Sequence, residues 1–106
     1  MFVKIYQYHI EIDKIDEFLE IQEKAASIYN RYIDFHTIFL HSKHDQSKWL
    51  EITRYKDEME YQKSIKIINE QKEIQELFES FQSLLVRQKK EITEEDFLER
   101  KSLLFM

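Results

Sequence analysis

The residue types best suited to chemistry gather in one short alternating stretch, Lys48-Trp49-Leu50-Glu51-Ile52-Thr53-Arg54-Tyr55. Trp49, Glu51, Thr53 and Tyr55 fall on one side and Leu50, Ile52 and Arg54 on the other, the two-residue period of a strand. If the preceding strand folds back onto this one, His41 joins the first set. A carboxylate and an imidazole beside aromatic walls can desolvate and orient a planar substrate, with Glu51 or His41 accepting a proton. Those two are the catalytic candidates. Tyr6, Tyr8, Trp49, Thr53 and Tyr55 are the substrate-binding candidates, and Tyr29 and Tyr32 could join Tyr6 and Tyr8 in a cavity between sheet and helix. A plainer reading competes with each. Trp49 and Tyr55 could pack a dimer interface, with Glu51 paired to Arg54 or to a lysine of a second copy. The tyrosines could equally fill the core, each hydroxyl finding a partner.

Other chemistries are excluded or weak. The chain of 106 residues has no Cys, which removes disulfides, thiolate nucleophiles and Cys-bound metals. It has no Gly either, so phosphate-cradling glycine loops and nucleophile elbows are ruled out. His41 and His44 have a metal-like spacing, but on a strand they point opposite ways, and a third ligand would have to come from Asp45, Glu51 or His9. No metal and no cofactor is therefore expected, and His9 and His36 read as ordinary strand-end histidines. A net charge of −5 argues against a nucleic-acid partner. The basic run Arg87-Gln88-Lys89-Lys90 is followed at once by acids and reads as a solvated turn. No apolar run approaches the ~18 residues of a membrane span, so no membrane partner is expected and a cytoplasmic location is the default. Pro is absent too. The turns are expected to rest on Asp, Asn, Ser and His in conformations that Gly would adopt more readily.

The elements that must position these residues follow from periodicity. Residues 1–106 read as one domain. Phe2 to Ile10 is a strand, with Val3, Ile5, Gln7 and His9 on one face and Phe2, Lys4, Tyr6, Tyr8 and Ile10 on the other. Asp13, with Asp16 three residues on, is a plausible cap for a helix whose apolar stripe runs from Ile15 to Tyr32. Phe35 to Ser42 and the Trp49 strand form a hairpin across Lys43–Ser47. With Ser42 opposite Lys48, Ile38 and Leu40 share a face with Leu50 and Ile52, while Phe39 and His41 join Trp49, Glu51, Thr53 and Tyr55. Asp57 and Glu60 form a capping box for a second helix, which breaks near Asn69 before a further stripe of Ile74, Leu77, Phe78 and Phe81. Residues 81–88 fit either a continued helix or an edge strand. Thr93-Glu94-Glu95-Asp96 reads as the cap of a C-terminal helix over about 93–104. The order predicts an α+β, ferredoxin-like βαββαβ core over about 2–88, with an antiparallel sheet and both long helices on one face. The bare aliphatic face then calls for a homodimer through the open sheet face.

The segment Trp49-Leu50-Glu51-Ile52-Thr53-Arg54-Tyr55-Lys56-Asp57-Glu58 with Tyr61, preceded by Ile10-Glu11-Ile12-Asp13-Lys14 with Phe18, resembles the antibiotic biosynthesis monooxygenase superfamily of dimeric α+β barrels. The resemblance covers roughly residues 2–88. Its usual Pro-Gly after the first strand is replaced here by Ile12-Asp13. The resemblance implies either cofactor-independent oxygenation of a small aromatic substrate or, as in members without a known reaction, a non-catalytic ligand-binding or structural dimer. The haem-degrading branch uses an Asn on the first strand and a Trp and a His on the second long helix. Here the only Trp is Trp49, no His follows His44, and the Asn residues are Asn30 and Asn69, so that triad is absent.

Overall fold

Strand-forming runs of β-branched and aromatic residues alternate with amphipathic stripes, and each becomes an element of the computed structural model, which describes residues 1–106. The order is β1 (Phe2–His9), α1 (Ile15–Tyr29), β2 (Phe35–His41), β3 (Lys48–Tyr55), α2 (Glu58–Asn69), α3 (Lys72–Gln82) and β4 (Thr93–Leu98). The sheet is antiparallel in the order β2-β3-β1-β4. Ile38 lies opposite Ile52 and Leu40 opposite Leu50, so the expected register holds. The helices cover the other face, on which β1 buries Phe2, Lys4 and Tyr8 and β3 buries Trp49, Thr53 and Tyr55. This ferredoxin-like α+β arrangement is the predicted one, and the break near Asn69 separates α2 from α3 as expected.

Two expectations about the C-terminal third are corrected. Residues 93–104 form no helix; Thr93–Leu98 is the fourth strand, paired with β1 from Gln7↔Thr93 to Phe2↔Leu98. The acidic run that resembles a capping box is a strand alternation, with Glu94 and Asp96 reaching the Lys4 ammonium at 2.6 and 2.7 Å. The strand core therefore extends beyond residue 88. Residues 81–88 are no edge strand either. α3 ends at Gln82, and a single bridge joins Ile10 to Leu85, flanked by Glu11 N–H donating to Leu84 and Val86 N–H to His9.

Turn and cap chemistry is simpler than the composition suggests. No residue has positive φ. The helix ends Asn30, Glu70 and Ser83 stay right-handed, at φ −68°, −79° and −68°, so the absence of Gly carries no left-handed strain. The hairpin is organised by Asp45, whose carboxylate accepts from Ser47 N–H and Oγ while its own N–H donates to Ser42 Oγ. These bonds hold the Asp45 carboxyl below its usual range. Asp57 caps α2 by accepting Glu60 N–H at 2.7 Å, as predicted. The Asp13 cap does not form. Ile12–Lys14 is a 3-10 turn leading into α1, and Lys14 holds the N-cap position without a side-chain bond.

Candidate functional site

The aromatic residues of the helix-covered face form two clusters. Tyr8, Ile10, Phe18, Trp49, Phe81, Leu84 and Leu85 close one end, and Phe2, Ile33, Tyr55, Tyr61 and Ile68 close the other. Between them lies a cavity of about 670 Å³. Its floor is the middle of the sheet, with Tyr6, Thr37, Phe39, Glu51 and Thr53. Its roof is α1 and α3, including Ala25, Ala26, Ile74 and Phe78. The short Ala25 and Ala26 side chains leave room where larger residues on α1 would reach the sheet.

Glu51 is the chemically distinctive group. It is half-buried, lines the cavity, and accepts a hydrogen bond from the Tyr8 hydroxyl at 2.8 Å. No ion pair involves it. Burial raises its carboxyl above the usual carboxylate range, and the Tyr8 hydrogen bond offsets part of that rise. Burial also raises the phenols of Tyr6, Tyr8, Tyr55 and Tyr61, and pushes Tyr29 up to about 12. They remain neutral hydroxyls at physiological pH. Thr37 and Thr53 share a hydrogen bond of 2.8 Å on the floor.

Of the residues singled out from the sequence, Tyr6, Tyr8, Glu51, Thr53, Tyr55 and Tyr29 converge on the cavity. His41, Trp49 and Tyr32 do not. The His41 ring stacks on Trp49 at 4.1 Å and 7°, and its Nε2 meets the Gln46 carbonyl outside the cavity. Trp49 is buried against Phe18, with ring centroids 4.9 Å apart, and its indole N–H has no hydrogen-bond partner. Both belong to the plug at the hairpin end. His41 and Trp49 are therefore removed from the wall, and Glu51 remains as its acid–base candidate. Arg54 is not the partner of Glu51, because it lies on the opposite face and pairs with Glu99 at 2.6 Å. No group of three His, Cys, Asp or Glu side chains is close enough to share a metal ion, so His41 and His44 find no third ligand.

The sequence reading missed the ion cluster beside the cavity. Lys4, its side chain 6% exposed, binds Glu94 and Asp96 and lies 5.6, 5.9 and 5.1 Å from the rings of Phe2, Tyr6 and Tyr61. Burial alone would lower its pKa, but the bonds from Asp96 and Glu94 outweigh this and raise it to about 12. Glu94 lines the cavity and accepts from Tyr6 Oη at 3.3 Å. Tyr6 stands directly between Glu51 of β3 and Glu94 of β4, so the three form one row across the floor. The available signal was a lysine in the middle of an aromatic stripe, facing acids two residues apart.

No protein-family model and no curated protein matches the chain. Solved structures do. An uncharacterized NIPSNAP domain protein from Burkholderia xenovorans superposes with a TM-score of 0.73 at 16% identity, covering 99% of this chain and 100% of that one. An antibiotic biosynthesis monooxygenase gives 0.70 at 13%, covering 95% and 100%. SnoaB, a cofactor-independent oxygenase from Streptomyces nogalater, gives 0.72 at 12%, covering 96% and 95%. Such identities speak for fold alone: the chain shares the ferredoxin-like α+β fold of these structures.

Proposed function

We propose that the protein is a homodimer whose cavity binds a small planar aromatic molecule and oxygenates it without a cofactor. The observation that carries this reading is Glu51, a carboxylate with a raised pKa and no cation partner, set in an aromatic-walled cavity. The fold shared with SnoaB, described as a cofactor-independent oxygenase, supports the reaction class. From a phenolic substrate Glu51 takes the hydroxyl proton, and the phenolate passes one electron to dioxygen. The phenoxyl radical and superoxide combine at a ring carbon, and Glu51 returns its proton to the peroxide. The O–O bond then breaks, water leaves with the ring hydrogen, and a quinone remains. One oxygen atom enters the product and the other becomes water.

The test is oxygen uptake with 1-naphthol, followed by 1,4-naphthoquinone absorbance and corrected for autoxidation, beside a thermal-shift titration with the same compound. Turnover should fall by roughly 100-fold or more in Glu51→Gln, the scale of a general-base contribution. Saturable binding without turnover would favour the non-catalytic ligand-binding dimer. No binding would discard the cavity as the site.

A further inference from the structure

The cavity is acidic and contains no counter-charge for an anion. Glu51 and Glu94 line it, and none of its lining residues is Lys, Arg or His. The nearest ammonium, Lys4, is already shared between Glu94 and Asp96. One cation thus faces three carboxylates on this side of the sheet, because Lys4, Glu51, Glu94 and Asp96 all project from the helix-covered face. An anionic ligand, or an anion formed by deprotonation, would meet repulsion here at low effective dielectric. Beside the cavity, the same face of the sheet already holds one ammonium. Lys4 is a buried ammonium held by two carboxylates and by the faces of Phe2, Tyr6 and Tyr61. On the other flank of Tyr6, Glu51 offers a carboxylate with a phenol donor and no ammonium.

We infer that the ligand of this cavity brings its own positive charge: an aromatic molecule bearing a protonated amine, seated over the Glu51–Tyr6–Glu94 row. Glu51 attracts the ammonium, the faces of the surrounding tyrosines supply cation–π contact, and the apolar roof of Ala25, Ile74 and Phe78 covers the ring. This rests on the cavity being the aromatic site proposed above, and it deepens that reading. The ammonium is the charge that the cavity wall does not provide.

Three phenols of similar size separate the two ideas: tyramine (cationic), 4-ethylphenol (neutral) and 4-hydroxyphenylacetate (anionic). Their dissociation constants are read from chemical-shift titrations of the full-length protein at pH 7.5 and low salt. Tyramine should bind roughly tenfold or more tightly than 4-ethylphenol, the scale of one desolvated cation–π or ion-pair contact, and 4-hydroxyphenylacetate should bind weakest. In Glu51→Gln the advantage of tyramine over 4-ethylphenol should shrink to within about threefold. Asp45→Asn, a carboxylate lost outside the cavity, should leave the order unchanged and controls for net charge. Equal or tighter binding of the neutral or anionic phenol overturns the cation inference and leaves the aromatic site standing. Retention of the full tyramine advantage in Glu51→Gln also overturns it. Binding of none of the three removes both.

Discussion

At the scale of single residues, the cavity separates two carboxylates by environment. Glu94 is bound to an ammonium, whereas Glu51 has one phenol and the cavity. A carboxyl whose pKa is raised on folding destabilises the folded state when ionised. The penalty is absent below the unfolded value, grows as pH rises towards the folded value, and is complete above it. Glu51→Gln should therefore raise the melting temperature by roughly 3–6 °C at pH 8, and by almost nothing near pH 4. A loss of stability at pH 8 would count against the absence of a cation partner. Tyr8→Phe removes the donor that offsets Glu51 desolvation, so it should raise the Glu51 pKa further, as read by NMR titration of the carboxyl carbon, and cost about 1 kcal/mol. Much of this floor was legible in the sequence, because a two-residue period fixes which side chains share a face once the hairpin register is chosen. The fates of His41 and Trp49 were not legible. Sharing a face does not say which rows the helices cover with Phe18 and Phe81 and which they leave open.

At the scale of elements, β4 shows how local acid spacing misleads. Thr93-Glu94-Glu95-Asp96 carries the composition of a helix start, yet the tertiary context rewards a strand. Each second residue meets Lys4 or Tyr6 on β1, and the backbone pairs along the edge. Asp57 shows the opposite outcome, because its capping residues lead into an amphipathic stripe that packs on the sheet. The Lys4 cluster is the side-chain tie between β4 and the sheet. Both acids are about half-exposed, so removing either alone should cost little, and the surviving partner keeps Lys4 charged. Glu94→Gln with Asp96→Asn leaves a buried ammonium without a carboxylate and should cost ~3–5 kcal/mol. Hydrogen exchange should report that loss first in residues 93–98. The pH dependence has the reverse sign to that of Glu51. With a folded pKa of about 12, the Lys4 contribution is complete below the unfolded value near ~10.4 and is lost as pH rises through 12.

At the scale of the whole molecule, the unpaired surface is the sheet face opposite the cavity. Val3, Ile5, Ile38, Leu40, Leu50, Ile52 and Phe97 project from it by register, and Ile38, Leu40 and Phe97 are 41%, 46% and 42% exposed. Aliphatic residues that pair across three strands make a continuous apolar surface, which water solvates poorly. Ile52 is its centre, lying opposite Ile5 on β1 and Ile38 on β2. Two copies related by a two-fold axis through this face would bring both Ile52 side chains into the dry middle of the interface. Ile52→Lys tests the proposed dimer without disturbing the cavity, because residue 52 faces away from Glu51 and Thr53. In a single subunit the new ammonium can reach water, so folding should survive. In the dimer two ammonium groups would be buried without partners, and association should weaken by roughly 100-fold or more. Sedimentation at micromolar concentration should find the unaltered protein at twice 13.2 kDa and Ile52→Lys at 13.2 kDa. The variant's circular dichroism and cavity binding should stay intact. A monomeric unaltered protein, or an Ile52→Lys variant that still dimerises, would place the association elsewhere or remove it.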